Sequence, residues 1–151
     1  NNPHLTPPPL CLMDKFTRNY SIILGIVVVG LLVLFAYEDP KLTELNDMLQ
    51  ADTALGAYPY NFRVVRLENS VATMTTPRSP EFPAFRALGL LFPVLENLPQ
   101  DDPQLMQGQL VMAHTQEHAK ALVLGSGHAS HVVWELDTDW LARHGIHVEG
   151  E

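Results

Sequence analysis

Six of the seven histidines, His114, His118, His128, His131, His144 and His147, fall near the end of a 151-residue chain. Neutral imidazole is a common ligand for divalent metals, so this density raises metal binding first. His114 and His118 are four residues apart, which places them on one face of a helix, where they can grip a single ion together. With Gln107 they form a polar stripe between Leu110/Ala121 and Val111/Leu122. If the Gly125-Ser-Gly turn folds back, His128 or His131 supplies a third ligand. A divalent metal is therefore the cofactor these residues would hold. The competing reading is a polar edge on an otherwise packed helix.

Two further patterns suggest reactions. The run His114-Thr-Gln-Glu117-His118 is not H-E-x-x-H, but it matches the inverted H-x-x-E-H form of zinc peptidases, with Glu117 as base. Gly125-Ser126, followed after ten residues by Asp137-x-Asp139, resembles the fingerprint of nucleotidyltransferases of the DNA polymerase beta type, which include adenylyltransferases. The resemblance implies that Gly125 and Ser126 bind a nucleotide triphosphate, and that Asp137 and Asp139 hold Mg²⁺. No Arg follows the Gly-Ser turn, and Leu136 stands where the family has Ser. Without a nucleotide, Gly125 ends a helix and Asp137 caps the next one.

Arg63, Arg66, Arg78 and Arg86 surround a predicted hairpin, where they form a local anion site or pair with surface carboxylates. Trp134 and Trp140, with Phe82, Phe85 and Phe92, read as core aromatics in preference to a ligand cage. The chain holds 9 basic and 17 acidic residues, and no window clusters Lys and Arg, which argues against a nucleic-acid partner. The single cysteine, Cys11, excludes an intramolecular disulfide and a cysteine-built zinc site.

The elements that must position these residues begin with a charge-free run from Asn19 to Tyr37, bounded by Arg18 and Glu38. As a helix it is about 28 Å long, close to the ~30 Å hydrocarbon core of a bilayer. Every face is apolar, whereas a core helix of a soluble protein keeps a polar stripe. Lys15 and Arg18 before the span, against Glu38 and Asp39 after it, orient the N-terminus to the cytoplasm. A cleaved signal peptide is the rival reading, disfavoured by Leu34 at the position that wants a small residue before a cut after Ala36. Residues 1–18 read as a Pro-rich disordered tail with a basic cytoplasmic leader, residues 19–37 as a transmembrane helix, and residues 38–151 as an extracytoplasmic domain.

That domain reads as α+β. Pro40 starts a helix whose Leu42, Leu45, Met48, Leu49 and Leu55 recur at threes and fours until Gly56. Tyr60 to Leu67 and Val71 to Thr76 flank the turn Glu68-Asn-Ser as a β-hairpin. A second helix places Phe82, Phe85, Leu88, Phe92 and Leu95 on one face, and Pro93 kinks or ends it. The longest soluble helix runs from Asp102 to about Leu124; a strand (His131 to Leu136), a short helix from Thr138 and a last strand at Ile146-His-Val follow. The expected protein is a single-pass protein of the inner membrane of a bacterial-type envelope, its domain periplasmic. That domain binds another envelope protein or supports a membrane complex, and the lipid bilayer is the second partner. An adenylyltransferase-like enzyme and a His-based metal-binding domain are the alternatives.

Overall fold

A computed structural model describes residues 15–37 and 39–148. The chain divides into two units, Asn1–Glu38 and Asp39–Glu151.

The first unit contains one described helix, α1 (Lys15–Ala36). All of its side chains from Arg18 onward are exposed, including Ile22, Leu24, Val28, Leu32 and Phe35. It is long and apolar enough to cross a membrane. The helix starts four residues before the predicted span and stops short of Tyr37, because Lys15 to Arg18 are compatible with helix and a charge-free run does not mark where a helix begins or ends. The expectation for the Pro-rich tail falls mostly on residues 1–14, outside the described residues.

The second unit is α+β. Its order is α2 (Pro40–Ala51), α3 (Thr53–Ala57), β1 (Val64–Glu68), β2 (Val71–Thr76), α4 (Ala84–Leu91), a 3-10 turn (Pro93–Leu95), α5 (Pro103–Gly125), β3 (His131–Leu136) and α6 (Thr138–Arg143). The hairpin closes through Asn69 and Ser70 at φ 50° and 61°, a two-residue turn with both central residues left-handed, whose twist matches that of paired strands. A bulge between Val64 and Arg66 resets the alternation, so Val64 and Leu67, three apart, sit opposite Met74 and Ala72, which share one face of β2. That explains why Tyr60 to Leu67 alternates only loosely in sequence. β2 is the central strand, and β3 pairs with it in parallel, Val71 opposite His131 through Thr76 opposite Leu136. Parallel neighbours need a crossover, here the whole segment holding α4 and α5.

Helices cover the inner face of the sheet. The core joins Leu45 and Leu49 of α2, Leu55 of α3, Tyr58, Tyr60, Phe62, Ala72, Met74, Leu88, Leu105, Met112, Val123 and Leu141. α5 buries Leu105, Met112, Gln116, Ala119 and Val123, one stripe at sevens, fours and threes. Asp102 caps it, its carboxylate accepting the Gln104 N–H at 2.8 Å, with Pro103 in the first turn. At its first residue the β1 edge is capped by a side chain: the Asn46 amide donates to the Val64 carbonyl at 2.9 Å and accepts the Val64 N–H at 2.8 Å, as a neighbouring strand would.

Three expectations are corrected. The first helix is two helices, because Asp52 takes the Ala54 and Leu55 N–H groups on its carboxylate at 3.0 Å and starts α3. The second helix is only Ala84–Leu91. Pro83 restricts Phe82, and Pro93 forces Phe92 to φ −130°, ψ 93°, out of the helix. Ile146 to Val148 form no strand: Gly145, at φ 77°, turns the chain so that Ile146 and Val148 pack on the core edge.

Candidate functional site

The histidines are dispersed, and two of them, His118 and His128, meet separate carboxylates. His118 reaches across from α5 to Asp52 at the start of α3, with Nε2 3.1 Å from Oδ2. His128, after α5, meets Glu44 of α2 at 3.2 Å. His131 lies at the exposed start of β3, its Nδ1 3.1 Å from Ser130 Oγ, and His114 is exposed on α5. His144 stacks on Trp140 with ring centres 4.4 Å apart. Among the described residues no group of three or more His, Cys, Asp or Glu is arranged to hold a metal ion, and neither His128 nor His131 joins the His114/His118 pair in such a group. A helix spacing brings His114 and His118 to one face, but the second ring is taken by an acid on another element. The Asp52 carboxyl is held below its ordinary range, chiefly by the Leu55 N–H and further by its hydrogen bond to His118.

The Gly-Ser and Asp-x-Asp halves of the nucleotidyltransferase-like pattern flank β3. Gly125 is the last residue of α5, and Gly127, at φ 79°, makes the left-handed turn after it. The Ser126 hydroxyl donates back to the Val123 carbonyl at 2.6 Å. This is a helix C-terminus, where carbonyls and the negative dipole end face outward, the opposite of a phosphate cradle. Asp137 and Asp139 come after β3, which is about 17 Å long at ~3.3 Å per residue.

Asp137 is 4% exposed and fully engaged. Its Oδ2 accepts the Tyr60 hydroxyl at 3.0 Å; its Oδ1 accepts the Trp140 N–H at 3.0 Å, as the cap of α6, and Arg63 Nη2 at 3.3 Å. Burial, with Asp137 alongside, pushes the Tyr60 phenol well above its ordinary range and keeps it a donor. These bonds pin the end of β3 to the segment leading into β1. Asp139 is exposed in the first turn of α6, outside this network. Of the other arginines, Arg66 pairs with Glu135 on the open sheet face at 2.6 Å, and Arg86 lies 5.7 Å from the Phe82 ring centre. The hairpin arginines therefore divide among separate partners.

The surface feature that sequence reasoning missed is an apolar groove of about 460 Å³ between α5 and the 3-10 turn, lined by Phe92, Leu95, Pro103, Gln107, Gly108 and Val111. A Cβ on Gly108 would stand 3.3 Å from both Leu88 and Leu95, so glycine there lets α5 approach closely. Val111, which lines it, is exposed, as are Met106 and Leu110 elsewhere on α5 and Val94 in the 3-10 turn. The available signal was Met106, Leu110 and Val111 lying off the stripe that packs α5. Comparison with protein-family models, with curated proteins and with solved structures gives no match.

Proposed function

We propose that this chain is a single-pass membrane protein, its N-terminus in the cytoplasm and its α+β domain periplasmic, and that the domain binds another envelope protein. The observation that carries the binding reading is the apolar groove lined by Phe92, Leu95, Pro103, Gly108 and Val111. Scattered surface apolar residues are ordinary, but a contiguous set lining a concave groove marks an interaction surface. No charged side chain lines it, and Gln104 and Gln107 supply amides at its edge. Its complement is an uncharged, amphipathic segment presenting aliphatic side chains. The membrane reading is supported by α1, exposed and apolar along its length from Ile22, with Lys15 and Arg18 before the apolar run and Glu38 and Asp39 ahead of Lys41 after it.

The test is site-specific photo-crosslinking of the full chain in native membranes, with the probe at Leu110 and a control probe at Glu68. One discrete adduct from Leu110, lost on Val111→Asp, is the expected result. Equal adducts from both positions, or none from Leu110, remove the binding reading. A C-terminal reporter active only in the cytoplasm, if active here, removes the topology.

A further inference from the structure

Arg78 lies just beyond β2 in a cavity of about 340 Å³ shared with Thr76, Ser79, Ala84, Gln116 and Trp134. Its Nε–H donates to Gln116 Oε1 at 3.0 Å, and Gln116 is itself buried on α5, so the guanidinium is oriented from behind. Among the described residues its Nη groups have no hydrogen-bond partner and no carboxylate forms an ion pair with it, unlike Arg63 and Arg66. Ser79 is already committed, donating to Glu81 at 2.8 Å and accepting the Phe82 N–H at 3.1 Å.

Thr76 is not committed. It is 4% exposed, it lines the cavity, and its hydroxyl has no partner. A buried hydroxyl without a hydrogen bond is costly, and native proteins retain few of them. The Tyr58 hydroxyl is the other such group; burial pushes its pKa up to about 12, with the Arg78 charge opposing. Thr76 ends β2, opposite Leu136 of the parallel strand β3.

We propose that this cavity binds a small organic carboxylate, taken by the Arg78 Nη fork and by the Thr76 hydroxyl, which is enclosed in the free protein and turns toward the ligand about χ1, with the ligand's apolar body against Trp134 and Ala84. A guanidinium fork matches a planar carboxylate in two parallel bonds. Phosphate is less well served, since one cation and an indole wall replace the several N–H groups that phosphate sites use. The volume lies at the small end of ligand cavities, which suits a molecule of about ten heavy atoms.

The test is titration of the full chain, in an uncharged detergent, with benzoate, benzamide and inorganic phosphate, followed by tryptophan fluorescence and thermal melting. Benzoate should bind at submillimolar strength, with benzamide and phosphate at least about tenfold weaker, the loss expected for a missing charge-assisted pair. Arg78→Gln should weaken benzoate at least about tenfold, and Arg78→Lys, which keeps the charge without the fork, about fivefold. Thr76→Val should weaken benzoate while raising the melting temperature, because it deletes an unpartnered buried hydroxyl. A merely structural threonine would not separate those two readouts. Equal binding of benzamide, preference for phosphate, no response to benzoate, or unchanged affinity in Arg78→Lys each overturns the proposal.

Discussion

α1 and α5 are nearly the same length, 22 and 23 residues, yet they are built for different surroundings. α1 carries aliphatic residues on every face and buries none, while α5 mixes apolar and polar residues all round and buries a single stripe. α5 therefore needs neighbours on one side and water on the other; α1 presents an apolar surface on all sides and is long enough to cross a membrane. The difference shows that the distribution of apolar residues round a helix, more than its length, specifies what it must contact.

The largest test of this contrast is a lysine placed in each helix. Met112→Lys buries an unpaired ammonium in the fully buried stripe of α5, at a cost above about 4 kcal/mol, and should abolish cooperative melting followed by circular dichroism. Leu110→Lys, two residues earlier on the exposed side, should change stability by less than about 0.5 kcal/mol. Next in size, Val28→Lys at the middle of α1 should raise the cost of membrane insertion by about 2.5 to 3.5 kcal/mol. Membrane fractionation should fall while the domain's melt stays the same. If fractionation is unaffected, α1 is not inserted.

A smaller effect concerns helix ends. Asp102→Ala removes the cap of α5 and should lower stability by about 1 kcal/mol in chemical denaturation. The smallest concerns pH. Because the Asp52 carboxyl titrates lower in the folded state than in the unfolded chain, it contributes stability above the ordinary aspartate value of about 3.9. That contribution is lost as pH falls through the lowered folded value. Asp52→Asn should therefore flatten the decline in melting temperature below about pH 4. An identical acid limb in the variant would show that the α3 cap and its link to His118 on α5 do not contribute.

The parts of the fold set by local chemistry were legible. The charge-free run, the Asp102-Pro103 start of α5, the hairpin turn and the strand at His131 all depend on residues close in sequence. What was not legible depends on pairing at a distance. Nothing local announces that β3 runs parallel to β2, that Asn46 caps the start of the β1 edge, or that Asp137 is spent on Tyr60 and Arg63. The histidine pattern suggested convergence because spacing reveals a shared helix face, but not which acids other elements bring to it. Asp137 was correctly legible as a possible cap of α6. Its burial was not, since that follows from Tyr60, 77 residues away.

The parallel pairing of β2 with β3 also orders the making of the protein. The β1–β2 hairpin is local and can form in about 1–10 µs once Thr76 is free of the ribosome or translocation channel. β3 cannot join until the whole crossover has followed, and the loop-closure entropy of that long segment must be met before any pairing offsets it. Until His131 to Asp137 emerge, one edge of β2 and the Tyr60 hydroxyl stay unpaired. β3 thus closes the sheet, and a chain halted before it carries an open strand edge, the feature that quality-control proteases and aggregation both exploit.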